Sequence, residues 1–230
     1  IERQIATLRA AGITDITLVT GYRSEMLQFQ DVGNAHNDAW ERTNMVATLF
    51  CAESSFGNDV IVCYADIVYE GRVLKALLDT TADIAVVVDS RWRPYWEARF
   101  EDPLDDAESL KMDGKGRITD IGQPATTMDS IKGQYIGLMR FRGVGIKILR
   151  DTGRTLGDIS RDWTEKRPVQ KAYMTDLLME MILRGHSVQA VPVDGGWLEI
   201  DTPDDYALSA ALFAGDREFP WFSPQGVARP

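Results

Sequence analysis

Histidine is scarce in this chain, with only His36 and His186 in 230 residues. Metal sites built on histidine, and catalytic triads that need one, are therefore poorly supplied. Cysteine is equally rare. Cys51 and Cys63 both sit in apolar segments and read as reduced core thiols, not as a disulfide or a metal pair, so the expected compartment is the cytoplasm. No apolar run reaches the length of a membrane span, and no leader-like stretch stands before the first helix. Positive charge is also short: 25 basic against 35 acidic residues leave a formal net charge of −10. That balance argues against a nucleic-acid or anionic-membrane surface while permitting a local basic pocket. What remains is enough sequence for one sizeable α/β core.

The chain opens in mid-pattern, with Ile1, Ile5 and Leu8 on one helical face and Gly12 as the stop. The expectation is that a segment precedes it in the natural protein. Ile16–Thr20 reads as a strand closed by Gly21-Tyr22, and 29–40 as a polar surface loop. Thr43 or Asn44 then caps a helix carrying Met45, Leu49 and Phe50. Val60 to Tyr64 runs apolar without a break, as in a strand buried on both faces, and ends on Ala65-Asp66. A helix near 71–78 and a second buried strand, DIAVVVD at 83–89, follow. A hairpin is expected around Asp113-Gly114, a strand at 134–141, a helix from Val144 and a polar excursion over 150–168. An amphipathic helix at 171–183, a strand at 188–193 and a helix opened by Thr202-Pro203 complete the pattern. The tail from Gly215 has no usable periodicity. Helix and strand alternate at the front and hairpins appear in the middle. This predicts a Rossmann-like three-layer α/β/α domain with a mostly parallel sheet and a small mixed subdomain.

Open α/β sheets place their chemistry at the carboxyl ends of strands, which singles out Asp66. The alternative is that Asp66 caps the helix that follows. Asp89 ends the second buried run, so both acids are expected to project into one crevice. Glu199 and Asp201 share one side of an extended segment. With Asp66 they would supply hard oxygen ligands for Mg²⁺. RWRPYWEARF packs two Trp, a Tyr and three Arg into ten residues. Trp92, Tyr95 and Trp96 form either a box for a small cation or ordinary packing. Arg91, Arg93 and Arg99 form either a solvated rim or an anion clamp.

The ordered segments TLRAAGITDITLVTGY, YADIVYE, VVVDSRWRPYW, GQYIGLMRF, MTDLL and GGWLEIDTPDDY resemble the sugar-nucleotidyltransferase-like family. Within it they are most similar to the cytidylyltransferases acting on phosphocholine and on small phosphonates. The resemblance implies a single nucleotidyltransferase domain: 1–89 for the nucleotide, 90–200 for the acceptor, and 201–230 as helix and tail. It implies transfer of CMP from CTP to a small phosphonate or phosphoamine, with Mg²⁺ and release of pyrophosphate. Asp66 and Asp201 take the catalytic roles, with Asp66, Glu199 and Asp201 as metal ligands. Gly21, Tyr22, Asn44, Tyr64 and Ala65 fall where the family holds the nucleotide. Asp89, Trp92, Trp96, Arg99, Tyr135 and Asp176 fall around the acceptor. The family pattern begins with a strand and a Gly-rich loop carrying an Arg and then a Lys; this chain starts after that point. A sugar-1-phosphate nucleotidyltransferase and a catalytically inactive nucleotide-binding module are the rival readings. Whether the chain forms a homodimer, or is fused to another biosynthetic domain, stays open.

Overall fold

Alternation decides which way each side chain of the IAVVVD run points, and here both faces are apolar. Ala85 and Val87 enter one core, whereas Ile84, Val86 and Val88 enter another. A strand of this kind needs helices on both sides. The computed structural model describes residues 1–160 and 166–230.

The first third comprises α1 (Glu2–Ala10), β1 (Thr17–Thr20), β2 (Gly33–His36) and α2 (Met45–Cys51). It continues through β3 (Asp59–Cys63), β4 (Ile67–Tyr69), α3 (Gly71–Asp79) and β5 (Ile84–Asp89). Then come α4 (Trp92–Arg99), the hairpin β6 (Glu108–Met112) and β7 (Ile118–Pro124), β8 (Gln134–Arg142) and α5 (Val144–Arg154). The remainder is α6 (Met174–Leu183), β9 (Gln189–Val193), β10 (Trp197–Glu199) and α7 (Pro203–Ala214).

The main sheet has the order β3-β8-β5-β9. Three of its strands point the same way, and β8 runs against them between β3 and β5. Helices α1, α3, α4 and α7 contribute Leu8, Val73, Leu77, Trp96 and Leu212 to one face. On the other face α2, α5 and α6 contribute Val46, Leu149 and Leu177. The hairpin covers this second face through Leu110, Ile118 and Ile121. The layers are therefore helix, sheet, helix, as the alternation requires. Among the described residues no helix is long and apolar enough to cross a membrane.

Several local expectations need correction. The 29–40 stretch contains β2, whose Gly-Asn-Ala-His sequence has no apolar alternation; its pairing with the β1 edge makes it a strand. β3 is half-buried, because a cavity of about 810 Å³ lies between it and β1. Cys51 is exposed on the outer side of α2, not a core thiol. Cys63 is half-buried near the Tyr69 hydroxyl, and burial pushes its thiol up to about 11. The polar excursion expected over 150–168 is partly helix, since α5 runs to Arg154, and 161–165 lie outside the described residues. The tail that showed no periodicity seats Phe222 and Val227 in the core. Its Ser223 N–H donates to Glu70 Oε1 at 2.8 Å.

Candidate active site

The turn Tyr64–Asp66, between β3 and β4, carries the first acid. Asp66 does not cap α3, whose N-cap is Glu70. Two elements hold the turn instead. Gln4, buried on α1, donates its side-chain amide to the Tyr64 carbonyl at 2.8 Å and also to the Ile67 carbonyl. Gln4 was missed in the sequence, yet a signal was there: it occupies the apolar stripe of Ile1, Ile5 and Leu8, where a polar residue has to find a partner. From the opposite side, the Ile200 N–H donates to the Asp66 carbonyl at 2.8 Å. That bond continues the antiparallel ladder in which Glu199 lies opposite Ile67. Asp66 and the Glu199–Asp201 segment are thus neighbours by backbone register.

One buried guanidinium organises the second group of acids. Arg99 ends α4 with its side chain only 2% exposed. It donates to Glu199 at 2.6 Å, Asp201 at 3.3 Å and both oxygens of Asp205 at 2.8 and 3.1 Å. Glu199 is also fixed through its backbone, since its N–H donates to the Tyr95 hydroxyl at 2.8 Å. Burial and the charge of Asp201 push the Asp66 carboxyl up, against a weaker pull from Arg99. This happens although the Asp66 side chain opens to solvent, because the mouth of the cavity crowds it on the protein side. Burial pushes Glu199 up to about 7 despite Arg99, with Asp201 and Asp66 adding repulsion. Burial also acts to raise Asp205, but Arg99 and Thr202 hold it below the usual carboxylate range.

The fit of this donor set to Mg²⁺ is selective. Asp66 and Asp201 are exposed carboxylates that repel each other, a repulsion that a hard cation between them would relieve. Glu199 is already held by Arg99 and is the poorest of the three as a ligand. Among the described residues no group of three His, Cys, Asp or Glu is drawn together tightly enough to hold a metal. Two carboxylates, with substrate oxygens and water completing the shell, match the usual habit of Mg²⁺.

The nucleotide candidates separate. Asn44, Tyr64, Ala65 and Asp66 line the cavity. The Asn44 side chain donates to the Lys171 carbonyl at 3.0 Å. Gly21 and Tyr22 do not line it. A Cβ at Gly21 would stand 2.6 Å from Trp40, whose ring lies 5.3 Å from that of the exposed Tyr22. The body of the cavity is walled by strand edges and by Ile5, Leu18, Val60 and Val62. Asp15, Asp59 and Asp66 are its acidic lining residues.

On the acceptor side the structure overturns part of the expected set. Asp89 is fully buried and does not share a crevice with Asp66. Its carboxylate accepts from Trp197 Nε1 at 2.9 Å, Gly195 N–H at 2.9 Å and Arg91 N–H at 2.8 Å. Trp92 and Trp96 form no open box: with Tyr95 and Trp197 they pack edge-on and tilted in the core. Their 92, 95, 96 spacing is the inward face of a helix. Arg99 is a hub for acids within the protein, not a surface clamp. Tyr135 lies against Tyr64 of the Asp66 turn, and Asp176 lies in the first turn of α6, whose Met174 lines the cavity. The Tyr135 ring meets Tyr64 edge-on at 5.7 Å. Gly137, at φ +75°, lets Tyr64 lie there, since a Cβ would come within 2.6 Å of it. Asp176 accepts from the Tyr173 N–H at 2.9 Å and from Arg167 at 3.2 Å.

Glu108, which no sequence pattern marked, joins this group from the start of β6. Burial, then Asp106 and Asp176, push it up to about 7. Glu108 and Glu199 therefore make a joint prediction. Both move from 4.5 to about 7, so between those values the folded chain holds protons that the unfolded chain has released. Unfolding free energy should fall as pH rises from about 4.5 to about 7, and denaturant titrations across that window check the sign. A stability that climbs through it would refute the assignment.

No family model matches the chain. Over 217 residues it is 35% identical to the CTP:phosphoglutamine cytidylyltransferase of Campylobacter jejuni, covering 89% of this chain and 84% of that protein. Among solved structures it superposes on the CTP:phosphocholine cytidylyltransferase of Streptococcus pneumoniae with a TM-score of 0.65. Identity there is 18%, and the match covers 90% of this chain and 82% of that one. The inositol-1-phosphate CTP transferase of T. maritima gives a TM-score of 0.64 at 17% identity, over 93% of this chain and 82% of that one. The two structural matches speak for the fold alone. The first relative, by its identity and its span of both chains, establishes that the chain belongs to the cytidylyltransferase branch of the nucleotidyltransferase family.

Proposed function

We propose that this cytidylyltransferase moves CMP from CTP to the phosphate or phosphonate oxygen of a small nitrogen-bearing acceptor, with Mg²⁺ held by Asp66 and Asp201. The observation that carries the reading is that these two acids stand just beyond one end of the β4–β10 ladder, where the Ile200 N–H donates to the Asp66 carbonyl. An acceptor oxygen attacks the α-phosphorus in line. A new O–P bond forms, the bond to the bridging oxygen breaks, and pyrophosphate leaves with that electron pair. The chemistry the cation supplies when bound is neutralisation of the phosphate charge on both sides of this displacement. The protein contributes position. Gln4 and Ile200 hold the Asp66 turn, and Arg99 holds the Glu199–Asp201 segment, so little reorganisation is needed as charge shifts.

Support for the acceptor class comes from the Campylobacter relative, named for phosphoglutamine, and from the resemblance to enzymes of phosphocholine and 2-aminoethylphosphonate. The test is pyrophosphate release with CTP, Mg²⁺ and a panel of phosphoglutamine, 2-aminoethylphosphonate, 2-hydroxyethylphosphonate, phosphocholine and glucose 1-phosphate. Release with one of the nitrogen-bearing acceptors and CTP supports the reading. Turnover confined to glucose 1-phosphate, or a preference for UTP or dTTP, replaces it with a sugar nucleotidyltransferase. Absence of metal-linked CTP binding by calorimetry makes the protein a non-catalytic module.

A further inference from the structure

β10 has a strand neighbour on one edge only, since β4 and β10 form a two-stranded sheet by themselves. Backbone groups along a strand point alternately to its two edges, so part of β10 faces away from β4. At Glu199 a side chain takes the place of a second strand. The Glu199 N–H donates to the Tyr95 hydroxyl at 2.8 Å, and that hydroxyl donates back to the Glu199 carbonyl at 3.3 Å. A phenol can donate and accept at once, as a residue of a neighbouring strand would. Tyr95 is buried, with its ring seated edge-on against Trp96 and Trp197, so the hydroxyl is firmly placed.

One planar peptide carries this contact to the other acid. The Glu199 carbonyl and the Ile200 N–H belong to the same peptide unit, which turns as one piece. Its carbonyl accepts from Tyr95, and its N–H donates to the Asp66 carbonyl at 2.8 Å. Tyr95, the Glu199–Ile200 peptide and the Asp66 turn thus form one hydrogen-bonded chain, with Asp201 as the next residue along. Arg99, one helical turn beyond Tyr95 on α4, grips the carboxylates of Glu199 and Asp201. Tyr95 grips the backbone that runs between them.

We infer that Tyr95 is a positioning residue for cytidylyl transfer: its hydroxyl orients the Glu199–Ile200 peptide and so sets Asp201 against Asp66. Being buried, it acts through Asp201 and not by touching a substrate. The inference rests on the cytidylyl-transfer reading above and deepens it. Without the hydroxyl, the peptide keeps a partner at the Asp66 end only, and the Glu199 N–H loses its acceptor. Asp201 is 42% exposed and held by a 3.3 Å contact to Arg99, which leaves it room to swing. Misplacement of a reacting group costs turnover more than it costs binding.

Tyr95→Phe tests it, since only the hydroxyl is lost and the ring packing stays. Variant and wild type are compared by initial rates with CTP, Mg²⁺ and the best acceptor of the panel. They are also compared by Mn²⁺ binding with CTP present, read from water proton relaxation. kcat should fall about ten- to a hundredfold, while KM for CTP and for the acceptor changes less than about threefold. Mn²⁺ affinity should weaken about tenfold, the low end of what loss of a ligand's supporting hydrogen bond costs. The thermal midpoint should fall by about 2–6 °C. Ile146→Val, in the opposite core, controls for that loss of stability. It should lower the midpoint by about 1–5 °C and leave kcat and Mn²⁺ affinity at wild-type values. If Tyr95→Phe behaves like Ile146→Val, the hydroxyl is structural only; the inference is overturned and cytidylyl transfer stands. A loss confined to KM overturns it as well. If wild type neither binds CTP nor releases pyrophosphate, the parent reading fails and takes this one with it.

Discussion

Asp66→Asn is expected to lower cytidylyl transfer by at least about a thousandfold while leaving the thermal midpoint at or slightly above that of the parent. The two halves of this expectation have different causes. Activity falls because an amide offers a metal only a neutral oxygen, and one of the two exposed carboxylates is gone. Stability does not fall because the carboxylate is not a structural anchor. Its side chain caps no helix, and the turn is held through the backbone carbonyls of Tyr64, Asp66 and Ile67. Burial and Asp201 already disfavour its charge, so neutralising the side chain removes a cost of folding. Pyrophosphate release and differential scanning of the same preparation decide the matter. Near-normal turnover in a folded variant would remove Asp66 from the reaction. A collapse of the midpoint would make it a structural acid.

Arg99→Leu should be the most destabilising single change in the site, by about 3–5 kcal/mol, or roughly 6–20 °C in midpoint for a chain of this size. The guanidinium is buried, and its loss leaves Asp205 and Glu199 without their counter-charge. Asp205 matters most. Its Oδ2 also accepts from the N–H of Thr202 at 3.0 Å and from that of Asp201 at 3.2 Å, so it holds the start of α7. Asp201 is 42% exposed, and its share of the loss is small. The deficit should shrink on acidification, because protonating the stranded acids removes the buried charge. Arg99→Lys should recover only part of the stability, since one ammonium cannot reproduce a fork that reaches three carboxylates. Denaturant unfolding at pH 5 and pH 8 separates this account from simple loss of packing, which would be insensitive to pH.

Asp66 and Asp89 mark where sequence reasoning succeeds and where it stops. Each ends an apolar run, and the local pattern gives no ground for telling them apart. Their fates are set more than a hundred residues downstream: Gly195 and Trp197 donate to the Asp89 carboxylate, whereas Ile200 takes only the backbone of Asp66. The layered fold was legible because burial on two faces leaves continuous apolar runs. β2 was not, because an edge strand can be held by its neighbour's hydrogen bonds without apolar side chains. The aromatic cluster in α4 was readable in principle, since its spacing is that of a buried helix face. The Arg99 hub was not readable, because its partners lie 100 to 106 residues away. Glu108 left no trace either: a half-buried acid at the head of a strand looks like any solvated one until its neighbours are known.

The two hydrogen bonds from Gln4 make α1 and the Asp66 turn one cooperative unit. Opening one has to disturb the other, and by reciprocity whatever quiets one should quiet the other. CTP with Mg²⁺ should therefore slow amide hydrogen exchange along α1, a helix that supplies no residue to the chemistry. In Gln4→Leu that protection should vanish while protection of β5 persists. The helix, which also walls the cavity through Ile5, would then serve as a reporter of occupancy, readable without following any turnover.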